Sequence, residues 1–92
     1  MTDRIAIRVR IAGRVQGVGF RAWTEAQAAA LGQSGWVRNE ADGAVLALLA
    51  GPEDRVAGML DALQEGPAPA RVETVETTPG DWPAEAGFRI SR

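Results

Sequence analysis

Residues 5–31, IAIRVRIAGRVQGVGFRAWTEAQAAAL, change hydrophobic period across a glycine-rich turn, and that change decides the fold. Ile5, Ile7, Val9 and Ile11 alternate with Ala6, Arg8, Arg10 and Ala12, the period-two pattern of a strand with one buried and one wet face. The strand ends at Gly13, and Gly17 and Gly19 follow closely. From Arg21 to Leu31 the chain is free of Gly, Pro and β-branched residues apart from Thr24, which suits a helix. Trp23, Ala26 and Ala30 fall at helical spacing and predict its buried face, where small side chains bring helix and sheet close together. Gly32 supplies the left-handed position that ends it.

Beyond this unit the pattern repeats with a hairpin inserted. Gly35–Asn39 and Ala44–Ala50 read as strands, joined by EADG with the hairpin pair Asp42–Gly43. In the second, Val45, Ala47 and Leu49 are expected towards the helices and Leu46 and Leu48 on the other face. Pro52 opens a second helix with Glu53 and Asp54 in its first turn, where acids suit the dipole. Val56, Met59, Leu60 and Leu63 form its apolar stripe, and Gly66–Pro67 stops it. Arg71–Thr77 reads as a fourth strand; Val72 and Val75, three apart, break strict alternation and predict a bulge or strong twist. A loop, Thr78–Gly87, carries Trp82 to a short last strand with Phe88 and Ile90. The order is βαββαβ plus a terminal strand. Two helices on one face of an antiparallel or mixed sheet make an α+β, split βαβ sandwich. Residues 1–92 are expected to form one domain.

Composition narrows the chemistry. The 92 residues contain no Cys, His, Tyr or Lys. Disulfides, thiol nucleophiles, histidine-based triads and Schiff-base lysines have no carrier, and a zinc site would need carboxylates alone. A zinc site is therefore not expected. Residues 1–38 hold Arg4, Arg8, Arg10, Arg14, Arg21 and Arg38 against Asp3 and Glu25, a balance of +4, while the remainder balances at −6. An anionic ligand therefore favours the N-terminal portion. The opening MTDRIAIRVR is charged rather than a signal-peptide pattern, and no apolar run reaches the roughly 18 residues of a membrane span, so the cytoplasm is the expected compartment.

The candidate site is GRVQGVGFR, Gly13–Arg21. A glycine-rich turn from strand to helix lets successive backbone N–H groups converge on an anion, and the helix start adds unpaired donors. Arg21, in the first helical turn, can grip two phosphoryl oxygens in a bidentate fork. The segment has neither the Lys–Ser/Thr end of a nucleotide P-loop nor a dinucleotide fingerprint. Spacing alone also allows, and favours, a plain glycine-rich turn beside a solvated arginine. Asn39, before the hairpin turn, is open to two roles: an Asx cap of that turn, or a carboxamide that holds a water.

Three stretches in order, GRVQGVxFR at Gly13–Arg21, GWVRNxxDGxV at Gly35–Val45 and LxxGPxxAxV at Leu63–Val72, resemble the acylphosphatases over essentially the whole chain. The resemblance implies a ferredoxin-like fold, a cytoplasmic monomer, and hydrolysis of acyl phosphates to carboxylate and inorganic phosphate without metal or cofactor. It implies Arg21 and Asn39 as the catalytic pair. It also implies a phosphate-cradling loop of Arg14, Val15, Gln16, Gly17, Val18, Gly19 and Phe20. Gly19 stands where many members have an aromatic residue, and Glu40 where many have a hydroxyl residue.

The expected mechanism docks the phosphoryl group on the loop amides and Arg21 while Asn39 positions the attacking water. A phosphoryl oxygen is the expected proton acceptor, with Glu40 as the alternative. Two other functions compete. One is a non-catalytic phosphate-binding regulatory domain, disfavoured by the presence of both Arg21 and Asn39. The other is a single-stranded RNA-binding module, disfavoured by the lack of an aromatic signature for base stacking. The partners expected are therefore small acyl phosphates, with neither nucleic acid nor membrane.

Overall fold

A computed structural model describes residues 3–91. The elements are β1 (Arg4–Arg14), α1 (Phe20–Ala30), β2 (Ser34–Asn39), β3 (Val45–Pro52), α2 (Glu53–Glu65), β4 (Arg71–Pro79) and β5 (Phe88–Ile90). They form one five-stranded sheet in the order β4-β1-β3-β2-β5. The first four strands pair antiparallel, and β5 joins β2 in parallel, giving the mixed ferredoxin-like sheet. No helix among the described residues is long and apolar enough to cross a membrane.

Alternation in β1 places Val9 and Ile11 fully inside, where they meet Val37, Val45, Ala47 and Leu49 from the neighbouring strands. Phe20 and Ala28 of α1 and Val56, Met59 and Leu63 of α2 close the same core, so both helices cover one face. Leu60 packs at the margin of the α2 stripe. The bulge falls where the valine spacing placed it. Ala12 pairs with Thr74 but Gly13 with Val72, leaving Glu73 as the extra residue and letting both Val72 and Val75 reach the core.

Two sequence expectations need correction. The buried face of α1 is Phe20, Thr24 and Ala28, while Ala26 and Ala30 are exposed and Trp23 is half-buried. The helix begins one residue earlier, at Phe20, and that large ring fixes which way it faces. Thr24 tolerates full burial because its hydroxyl donates to the Phe20 carbonyl at 2.8 Å. Trp23 lies against Phe20, ring centroids 5.5 Å apart. The second correction concerns the fourth strand, which runs to Pro79 because β1 continues to pair with it as far as Ile7.

The chain then has to cross the whole sheet, since β4 and β5 are its opposite edges. Residues 80–87 form a strap over the face that lacks helices. The Gly80 N–H donates to the Ala6 carbonyl at 3.1 Å, and the Gly87 N–H to the Ser34 hydroxyl at 3.1 Å. Leu48 points to this face as expected, yet the strap leaves it only 5% exposed. Trp36 also lies here, with the Arg8 and Arg38 guanidinium groups 5.6 and 4.7 Å from its ring centroid. Trp82 in the strap carries Arg4 at 5.3 Å. Trp36 and Trp82 thus each carry cations over the ring, and neither belongs to the apolar core.

Candidate active site

The loop between β1 and α1 is pinned at both ends by apolar burial. Val15 and Phe20 are almost completely enclosed, and Val18 leans on the core between them. The residues between these anchors are forced into a tight arch. Gly17 and Gly19 have φ of 74° and 77°, left-handed conformations that side-chain-bearing residues adopt only at a cost. A Cβ at either position would meet nothing within 4 Å, so the backbone twist, not crowding, demands glycine.

Gly19 also begins α1. No side chain caps this helix, and its first turn holds no acid. Its first backbone bond runs from the Trp23 N–H to the Gly19 carbonyl at 3.0 Å. The preceding N–H groups of Phe20, Arg21 and Ala22 have no partner within the helix, which makes this end a concentration of free donors and positive dipole.

Asn39 reaches the same place from β2. It pairs with Val45 and shares the helix-facing side of the strand with buried Val37. The turn beyond it is closed by the Glu40 N–H donating to the Ala44 carbonyl at 2.8 Å and the Gly43 N–H to the Glu40 carbonyl at 3.2 Å. The Asx bond belongs to Asp42, whose Oδ1 accepts from the Ala44 N–H at 3.1 Å. Asp42 also pairs with Arg10, and the Ala44 N–H followed by Arg10 holds its carboxyl below the ordinary value of 3.8. With Asp42 capping the turn, the Asn39 amide is not required for it.

Loop, helix start and strand end enclose a cleft of about 350 Å³. Val15, Gln16, Gly17, Gly19, Phe20, Arg21 and Asn39, all candidates from the sequence, line it, joined by Ala22 and Ile90. Arg14 and Val18 are not among the lining residues. Arg14 is exposed at the end of β1, paired with Arg71, and Val18 is turned inward. Glu40 is absent from the lining as well; its carboxylate accepts from Arg38 Nε at 3.2 Å. Ile90 was missed by sequence reasoning. Its strand character was legible, but its parallel pairing with Val37, which brings it beside the cleft, links residues 53 positions apart. A second hollow of about 330 Å³, between the strap and the β2–β5 edge, is lined by Trp36, Phe88 and residues 83–87 with Arg89. Arg89 there is already paired with Glu85 at 2.9 Å, so the hollow lacks the free convergent donors of the cleft.

The chain as a whole is similar to known proteins. The family model described as acylphosphatase matches residues 7–90. An acylphosphatase of Mesorhizobium japonicum is 51% identical over 92 residues, covering 98% of each chain. One of Rhizobium etli is 60% identical over 72 residues, 78% of this chain and 77% of the relative. The solved structure of an acylphosphatase from Coxiella burnetii superposes with a TM-score of 0.91 at 31% identity, covering 97% of this chain and 94% of that one. A family match across nearly the whole length, near-complete mutual coverage and the same fold together mean that the chain belongs to the acylphosphatase family of hydrolases.

Proposed function

We propose that the chain cleaves the carboxyl–phosphate anhydride of small acyl phosphates in the cleft between residues 15–22 and Asn39. One observation carries this reading. A single cleft joins a loop turned by two left-handed glycines, an uncapped helix start, the Arg21 guanidinium and the Asn39 carboxamide, with no carboxylate among its lining residues. That donor set matches a phosphoryl group and nothing in it repels one.

In this reading the phosphoryl oxygens sit on the loop amides and the Arg21 fork. Asn39 accepts a hydrogen bond from a water in line with the phosphorus–acyl oxygen bond. The bond from water oxygen to phosphorus forms as that bond breaks, and its electron pair leaves with the carboxylate. A water proton passes to a phosphoryl oxygen. Glu40 is a poor candidate for the base because its carboxylate is engaged by Arg38 away from the cleft lining. Arg21 and the amides meet the charge directly, so the reaction is proposed to need no metal. The enzyme acts as a monomer in the cytoplasm on this reading, and burial of Leu48 beneath its own strap supports the first point by removing an apolar patch.

Hydrolysis of benzoyl phosphate by the purified protein in excess chelator tests the proposal, with Arg21→Ala in parallel. Turnover by the wild type and its loss, together with phosphate inhibition, in the variant is the expected result. A folded variant with normal turnover and phosphate affinity would remove the anion site from Arg21.

A further inference from the structure

The geometry points to Gln16 as a positioning residue that sets the separation between the phosphate loop and Asn39, rather than as a phosphate ligand. This rests on the reading of Asn39 as the group that holds the attacking water. The Gln16 Nε2 donates to the Glu40 carbonyl at 2.8 Å and to the Ala44 carbonyl at 2.9 Å, both bonds partly buried. Since both partners are carbonyl oxygens, only the NH₂ end of the amide fits against them. Its two hydrogens are then both engaged by the hairpin, and neither is left for an anion.

The hairpin does not need these bonds to satisfy its own backbone. The Glu40 carbonyl already accepts from the Gly43 N–H, and the Ala44 carbonyl from the Glu40 N–H. What the two bonds accomplish is a link between separate elements. The loop follows β1, Asn39 ends β2, and β3 lies between those strands in the sheet. Gln16 sits directly before Gly17, where the loop turns, and it grips the residue directly after Asn39. Two bonds from one planar NH₂ restrain both the spacing and the rotation of the loop relative to that strand end. In-line attack requires the water and the phosphorus to meet within roughly 3–3.5 Å, so a loose loop lowers turnover even when phosphate still binds.

A double-mutant cycle on the full chain tests this. Gln16→Met keeps side-chain length and removes both donors. Gln16→Ala, run beside it, guards against a misfit of the thioether, and near-ultraviolet dichroism confirms the fold of each. We expect kcat for benzoyl phosphate to fall between about 10-fold and 100-fold, with the inhibition constant of inorganic phosphate changed less than about twofold. In an Asn39→Ala background the same substitutions should lower kcat by less than about twofold further, because the group being positioned is gone. Full multiplication of the two losses, or a loss of phosphate affinity matching the loss in kcat, would overturn the positioning role. Wild-type kcat in the folded Gln16 variants would do the same. Normal turnover by Asn39→Ala alone would instead strike the underlying reading of Asn39, and the positioning role would fall with it.

Discussion

The two helices begin in opposite ways. Helix α2 follows Pro52 and carries Glu53 and Asp54 in its first turn, so its positive end is neutralised by its own side chains. Helix α1 follows Gly19, with no side-chain cap and no acid in its first turn. Each helix packs on the same face of one sheet, and each follows a strand. The fold therefore does not choose between them; the residues at the N-termini do. Neither start has a side-chain cap, but one carries its own acids, while the other carries none and faces the cleft beside Arg21 and Asn39. The free N–H groups of that second start, with no acid beside them, are suited to an oxyanion.

This contrast can be broken in several places. The largest effect is expected at Arg21→Lys, which retains charge but not the planar fork. Turnover should fall about 100-fold, measured as kcat with benzoyl phosphate, because a point charge replaces a two-oxygen grip. Ala22→Glu would give α1 the kind of acidic first turn that α2 has. Ala22 is exposed and lines the cleft, so the new carboxylate should weaken inhibition by phosphate about fivefold while leaving the melting temperature unchanged or raised. The reciprocal change, Glu53→Gln with Asp54→Asn, should cost about 0.3–1 kcal/mol per acid and leave kcat and phosphate inhibition intact. An activity loss in that variant would mean the helix starts are not independent.

The smallest effect concerns the hairpin that presents Asn39. The Asp42 carboxyl lies below its ordinary value of 3.8 in the folded protein, held there by the Ala44 N–H and then Arg10. Its contribution to stability is therefore complete above that ordinary value and disappears as pH falls through the lower folded value. Asp42→Asn should melt slightly earlier than the wild type at neutral pH, and the difference should shrink in acid. A constant difference between the two melting curves across pH would assign the effect to the turn's shape instead of the charge.

How legible all this was in the sequence depended on how local each signal is. The hairpin announced itself through Asp42–Gly43, and the bulge at Glu73 through two valines three residues apart. The seven residues that converge on the cleft were nameable because two short motifs hold them. The face of α1 was misread, since alanines at several spacings look alike until Phe20 is known to be inside the helix. The fate of Leu48 was hidden for a different reason. Nothing near it says that residues 80–87, more than thirty positions on, will cross above it.

The amino-acid order by itself therefore determined which segments are strands and helices, where the chain turns, and which side chains could grip an anion. These follow from periodicity, backbone freedom at glycine and side-chain chemistry, all of which act within a few residues. Tertiary structure alone decided that Arg14 and Val18 stay outside the cleft lining, that Ile90 enters it, and that Glu40 is drawn to Arg38. It alone used the Gln16 amide to join loop and hairpin. Such placements depend on which strands become neighbours and on the direction in which each side chain emerges, and neither is settled until the sheet has closed around its core.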